Sequence, residues 1–458
     1  MNGERTGHWL AVATALSAAL AALRSQAGEF SASFDSGRRQ IVVEADGFSG
    51  WRGSYSARVV LGGREIELSS AEGRLLTAPA TAETEMTPQG AASITSRSID
   101  FPDHGLRLLY RLGRIPGSAL LMAQAGIANR GQDPVQLVST TPLRTEFSVT
   151  GASSDWWITA LNDSVQTARP VAGLDQAAQT YAVVEHGAFY RRDGLGFVFG
   201  PVGHPISYVS GAFTLREPGL VGFDCSSDMS RVRVDPGETR WGQQVAVLLE
   251  PPRQAVARWT EWVADTHGAR TRQGTVTGWT SWQFLGGQVS GKDVEAVVEA
   301  TRRSPDRLRP AVIQIDGGYE DPGGAKDSNE RFPEGLEFYA KQIAATGARP
   351  GLLLESVDLH GNFTPWDQSA NRARELVGKG YSYFKLNTQR ITQYHPGNER
   401  QTSFEAIRDG FATIRKAVGD DVYLLNNDLK PNRAALGHVD AHRIGSDSKR
   451  EMLRPVFD

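Results

Sequence analysis

The feature that most limits what this chain can fold into is a change of period part-way along it. From about residue 29 to residue 250, short apolar runs alternate in twos and stop at turn residues. Gln40–Ala45 and Tyr55–Leu61 read as strands. Gly62–Gly63 supplies two residues tolerant of positive φ, a tight hairpin turn into Arg64–Leu68. Leu106–Leu112, Leu120–Asn129 and Val135–Ser139 follow, divided by the turn signals Pro116–Gly117 and Gly131–Gln132. Helical spacing is scarce in this half, which predicts an antiparallel β-sandwich.

The pattern changes near Arg258–Trp262, and beyond Gly274 strands alternate with helices. Val276–Trp282 reads as a strand, and Ser290 with Asp293 as a helix start ahead of an apolar stripe of Val294, Val297 and Val298. Ala311–Asp316 is a second strand; Pro333 opens a helix carrying Leu336, Ala340 and Ile343 that ends at Gly347. Gly351–Glu355, Tyr383–Asn387, Val422–Asn426 and Ala441–Ile444 are four more strands. Helices are expected over Gln368–Val377 and through Phe404, Ile407, Phe411, Ile414 and Val418, stopping at Gly419. Repeated βα units mean a parallel sheet, either a closed barrel or an open doubly wound sheet. No strand leads into a glycine-rich phosphate loop, and Trp282, Asp316, Glu355, Asn387 and Asp447 fall at strand ends, where barrels place their chemistry. The expectation is a multidomain β plus α/β chain: a leader at 1–28, the sandwich at 29–265, and a (β/α)8 TIM-type barrel at 266–458. A closed barrel takes eight strands and six are countable, so the barrel is expected to be cut off after about six.

Composition narrows the partners. The net charge is −3 with no long basic run, so nucleic acid is not expected. Ten Trp and eleven Tyr suit sugar stacking as well as an apolar core. Cys225 stands alone, which excludes an intrachain disulfide and a cysteine metal cluster; a small buried hydrophobe or an inert surface thiol is a plainer role than catalysis. His360 and His395 lack paired ligand spacing, so neither metal nor cofactor is expected. Arg5 and His8 precede the apolar run Trp9–Leu23, with Ser25-Gln26-Ala27 after it, an export signal implying a secreted or periplasmic protein with no membrane span after processing. A core helix or an uncleaved anchor would carry the same pattern.

Five segments, in order, carry a resemblance. They are Gly278-Trp279-Thr280-Ser281-Trp282 with Val289-Ser290 after it; Ile313-Gln314-Ile315-Asp316-Gly317-Gly318-Tyr319; Arg331–Leu336 leading to Pro350-Gly351-Leu352; Tyr383-Phe384-Lys385-Leu386-Asn387; and Asp440–Asp447. This series resembles the barrel-strand motifs of the melibiase-type α-galactosidases and their raffinose-synthase relatives. The resemblance implies a retaining glycosidase, in which two carboxyl groups about 5–5.5 Å apart serve as nucleophile and acid/base. It places Asp447 as the acid/base, where a loop cap is the structural alternative. It implies that Asp316 grips one side of the sugar, that Lys385 contacts sugar hydroxyls, and that Arg443 binds a hydroxyl or else forms a salt bridge. Trp279 and Trp282 would shape the apolar face of the sugar, or one of them packs the barrel. An oligosaccharide or glycoside is the implied partner, and relatives often form homo-oligomers.

Three positions depart from the motif. Asn387 stands where the family carries its nucleophilic Asp, Gly317 replaces a second Asp, and Glu355 replaces an apolar or small residue. A neutral amide cannot attack an anomeric carbon. Asn387 is therefore an introduced knockout, or the nucleophile comes from elsewhere, with Glu355 and Asp428 the candidates, or the chain binds sugar without turnover. The expected function is a glycoside hydrolase of α-galactosidase type acting on α-linked galactosides or related α-glycosides. The alternative is a catalytically impaired or inactive homologue that binds carbohydrate.

Overall fold

The computed structural model describes residues 30–443 except 77–81, 152–154, 163–164, 171–178, 218, 272–273, 275, 322–326, 356–364, 389–396 and 428–431. The leader at 1–28 and the candidates Asp428 and Asp447, with His360 and His395, lie outside the described residues. The chain divides into two compact units, Met1–Asn162 with Gln166–Thr266, and Asp163–Val165 with His267–Asp458.

The first unit is built from two antiparallel sheets. One has eight strands, with Phe48–Leu61, Val135–Val149 and Leu220–Val234 adjacent at its middle; the other has eleven, with Leu120–Asn129 paired to Leu106–Arg114 and Gln244–Leu248. The hairpin turn forms as expected: Gly62 and Gly63 take φ of 56° and 80°, and Leu61 pairs with Arg64. Inward residues of both sheets meet in one aromatic-rich core that includes Trp51, Phe147, Phe197, Phe213 and Phe223. Phe213 and Phe223 stack with centroids 5.0 Å apart. Leu120–Asn129 is buried along its whole length. Its Leu121, Ala123 and Ala125 face that core, while Leu120 and Met122 pack in a second cluster with Ala255 and Trp262 of the helix Pro252–His267. That helix occupies the place where the sequence showed only a break in pattern. Cys225 is fully buried, and burial pushes its thiol well above the usual range, consistent with an inert packing role.

The second unit holds a six-stranded parallel sheet whose strands follow in chain order: Gly278–Thr280, Val312–Ile315, Arg349–Glu355, Tyr383–Asn387, Tyr423–Asn426 and Ala441–His442. A doubly wound sheet would reverse its strand order at a switch point; here none occurs. The sheet curls into an open half-barrel. Its concave face brings Val312, Tyr383 and Tyr423 together with Val276, Leu425 and Ala441.

Helices Gly291–Arg303, Leu336–Ala344, Trp366–Gly378 and Ser403–Val418 connect the strands. Two open on capping boxes, Ser290 with Asp293 and Thr402 with Glu405, which satisfy orphan N–H groups at the first turn. Several boundaries differ from expectation. The first strand stops at Thr280, and Trp282 begins a short helix, Trp282–Leu285, instead of ending the strand. The helix expected from Pro333 starts at Leu336, because Gly335 takes φ 76° and ends a turn there. No helix among the described residues is long and apolar enough to cross a membrane.

Candidate active site

Side chains alternate across a strand, so residues two apart share a face. On the second strand this sets Gln314 and Asp316 on one face, and on the fourth it sets Lys385 and Asn387. Parallel pairing puts Lys385 beside Leu353 and Asn387 beside Glu355. The C-terminal ends of three neighbouring strands therefore deliver Asp316, Glu355, Lys385 and Asn387 to one neighbourhood.

Asp316 is buried, with 2% of its surface exposed, and its carboxylate is well supplied with donors. Oδ2 accepts from Lys385 Nζ at 2.9 Å and Gln314 Nε2 at 2.8 Å, with Thr280 Oγ1 further off at 3.4 Å. Oδ1 accepts the Gly317 N–H at 2.9 Å, and the Asp316 N–H donates to Ser281 Oγ at 2.9 Å. A carboxylate offers about four lone-pair sites, so a sugar hydroxyl would find room chiefly at Oδ1. Asp316 thus anchors Lys385 as much as it presents an acceptor. Sequence reading missed Gln314 and Ser281 as supports, although the two-residue spacing of Gln314 from Asp316 was a usable signal.

Glu355 is half-buried at the end of the third strand. Asn387 Nδ2 donates to its Oε2 at 2.7 Å. Burial pushes the Glu355 carboxyl above the usual range; the Asn387 hydrogen bond pulls it back, Glu320 and Asp316 push it further, and Lys385 opposes them. Glu320, which sequence reading also missed, stands on the loop after Asp316. Its Oε2 accepts the Gly318 N–H at 2.7 Å, and burial above all raises it too. That loop is fixed in place: Tyr319 OH donates to the Leu353 carbonyl at 2.8 Å, Asn329 Nδ2 to the Gly318 carbonyl at 2.8 Å, and Arg331 to the same carbonyl at 2.6 Å. Gly318 has φ 109°, and a Cβ there would lie 2.4 Å from the Gly287 carbonyl oxygen, so the loop requires glycine at that point.

Lys385, Arg443 and Trp279 line one cavity of about 220 Å³ on the concave face, with Gln314, Tyr383 and Asn427. Arg443 donates to Asn427 Oδ1 at 3.0 Å. Trp282 is not among the residues lining that cavity; it is 40% exposed on its short helix, with Phe284 beside it 62% exposed. The structure therefore brings together Asp316 with Lys385, Glu355 with Asn387, and Lys385 with Arg443 and Trp279. Among the described residues no cluster of three or more His, Cys, Asp or Glu is arranged to hold a metal ion.

No protein-family model matches the chain. Solved structures do resemble it. A variant of the GH36 α-galactosidase AgaA from Geobacillus stearothermophilus, in complex with stachyose, gives a TM-score of 0.58 at 13% identity, covering 86% of this chain and 64% of that one. The α-galactosidase TtGalA from Thermus thermophilus, also with stachyose, gives 0.50 at 16% identity over 81% of this chain and 79% of that one. An α-galactosidase from Lactobacillus brevis gives 0.56 at 11% identity over 86% and 62%. The chain has an α-galactosidase-like glycoside hydrolase fold, and it spans under two thirds of the length of the first and third of these proteins.

Proposed function

We propose that the protein is a glycoside hydrolase of α-galactosidase type, acting on α-linked galactosides or related α-glycosides, with its two units forming a β-sandwich and a (β/α) barrel. The observation that carries this reading is the convergence of Asp316, Lys385, Glu355 and Asn387 at neighbouring ends of parallel strands, beside a cavity lined by Trp279 and Arg443. Lys385 and Asp316 would bind sugar hydroxyls, Arg443 a further hydroxyl, and Trp279 the apolar face of the ring, with Trp282 reaching the substrate from outside the cavity. The site is proposed to be of the retaining type, with Asp447 as acid/base. Glu355 is then the carboxylate that attacks. Its oxygen bonds to the anomeric carbon as the glycosidic C–O bond breaks, and the departing oxygen takes the Asp447 proton. Water then adds to the same carbon, returns a proton to Asp447 and frees Glu355. The oligosaccharides seen with the neighbouring proteins, stachyose and raffinose, are reasonable first substrates. Export to the periplasm or beyond, and self-association, belong to the same proposal.

A second reading, a carbohydrate-binding protein without turnover, is favoured by one observation: a neutral amide holds the nucleophile position. One experiment separates the two. The protein is assayed on a panel of nitrophenyl α-glycosides and on raffinose and stachyose, and binding of galactose, glucose and raffinose is measured by calorimetry. Turnover lost in Glu355→Gln and in Asp447→Asn supports the hydrolase. Binding without turnover supports the second reading, and a folded protein that neither cleaves nor binds any of these sugars ends both.

A further inference from the structure

We infer that Asn387 is a positioning residue, whose amide aims Glu355 and keeps it ionisable as the working carboxylate of the pocket. The inference rests on the glycosidase reading above and assigns a task to the amide that departs from the motif. The two residues are register partners on adjacent parallel strands, so their side chains leave the sheet side by side. The 2.7 Å contact runs from Asn387 Nδ2 to Glu355 Oε2. An ionised carboxylate only accepts hydrogen bonds, whereas an amide nitrogen donates. A carboxylate at position 387 would set two acceptors against each other at that distance.

Gly317 lies toward the other Glu355 oxygen. A Cβ built at Gly317 would lie 3.3 Å from Leu353 Cδ2 and 3.9 Å from Glu355 Oε1. A side chain there needs a shift of only a few tenths of an ångström in Leu353, so glycine at 317 is not dictated by space. An acidic side chain, however, would bring like charge to the second Glu355 oxygen. Glu355 is thus flanked by two uncharged residues, one of which donates to it.

This matters because burial and the neighbouring carboxyls oppose ionisation. Among the described residues, the charged and titratable groups facing Glu355 are Asp316 at the end of the second strand, Glu320 and the Tyr319 phenol on the loop beyond it, and Lys385 on the fourth strand. Lys385 is the cation of the set and is already paired with Asp316. Burial, Glu320 and Asp316 raise the Glu355 carboxyl, and among the described residues the Asn387 hydrogen bond and Lys385 lower it. A carboxyl held too high is protonated at working pH and cannot attack. The amide therefore supplies both aim and charge state. The consequence runs against the simplest expectation for an Asn at a nucleophile position: an acid there should hinder the site, not restore it.

The test follows the Glu355 carboxyl by ¹³C NMR titration in the full chain, with its signal assigned by its absence in Glu355→Gln. Wild type, Asn387→Ala, Asn387→Asp and Gly317→Asp are compared after circular dichroism shows each to be folded, with turnover on nitrophenyl α-glycosides measured alongside. The expected result is an upward displacement of the Glu355 titration in all three variants, larger for Asn387→Asp than for Asn387→Ala. Turnover by Asn387→Asp should fall at least tenfold, its acid limb moving to higher pH, and Asn387→Ala should cost nothing further once Glu355 is Gln. A Glu355 titration unmoved by Asn387→Ala, or an Asn387→Asp variant faster than wild type, overturns the assignment. If wild type turns over no glycoside, the hydrolase reading fails on its own, while the titration still decides whether Asn387 controls Glu355.

Discussion

In the first unit one group of ion pairs stands on the solvent side of a sheet. Arg144 lies between Glu67 and Asp224, and Arg58 pairs with Glu65, with every one of these side chains more than a third exposed. In the second unit another pair, Lys385 with Asp316, sits instead at neighbouring strand ends. The Lys385–Asp316 pair is only 12% and 3% exposed, and Glu355 shares its surroundings with Glu320 and a neutral amide. The first arrangement keeps charges in water, where pairing contributes little. The second withdraws them from water, where each charge depends on its partner and protonation becomes adjustable.

The comparison can be broken first at its apolar end. Phe223 is fully buried in the core that both antiparallel sheets share. Phe223→Ala should cost roughly 3–5 kcal/mol, read as a lowered denaturation midpoint. Next comes the buried pair. Lys385→Met leaves Asp316 without its cation and should cost about 3 kcal/mol, together with loss of sugar binding by calorimetry. Adding Asp316→Asn to that variant should recover part of the stability but none of the binding. Recovery of binding would remove Lys385 from the site.

Much of this contrast was legible in the sequence, for a physical reason. The periods of two and 3.6 reflect backbone geometry, so the hairpin at Gly62–Gly63 and the strand Tyr383–Asn387 fell where expected. Elements that depend on tertiary packing did not. The helix Pro252–His267 has its Trp262 and Ala255 against a sheet from the same unit, a partnership no local pattern displays. Trp282 was expected at a strand end, but the strand stops at Thr280 and Trp282 begins a short helix. In the site, Asp316, Lys385 and Asn387 were readable as motif residues at strand ends. Glu320 was not, since its significance comes from burial beside Asp316 and Glu355, which spacing along the chain does not reveal.

A third prediction sharpens the comparison through pH. The folded-state pKa of Glu355 is raised above its ordinary value of 4.5, so ionising it costs the folded protein stability. The cost is absent in acid, where the group is protonated in both states. It grows as pH rises through the unfolded value and is complete above the folded one. Glu355→Gln should therefore be more stable than wild type near neutral pH, on the order of 1 kcal/mol, with the gap closing as pH falls below 4.5. A gap that persists unchanged in acid would mean that the gain comes from packing and not from charge.

The smallest effect is expected on the surface of the first unit. Arg144 contacts Glu67 at 2.6 Å, shorter than the 2.9 Å between Lys385 and Asp316, and Asp224 at 3.6 Å. If distance alone set the energy, Arg144→Ala would rival Lys385→Met. Exposure decides otherwise: Arg144 is 45% exposed and its partners 39% and 44%, so water and salt screen all three charges. The expected cost is under about 1 kcal/mol, shrinking further as salt is added, while the Lys385→Met penalty should change little with salt because that pair is shielded from solvent. Denaturation midpoints for both variants at low and high ionic strength make the check. Equal penalties, or equal salt dependence, would show that the two units hold their charges in the same way.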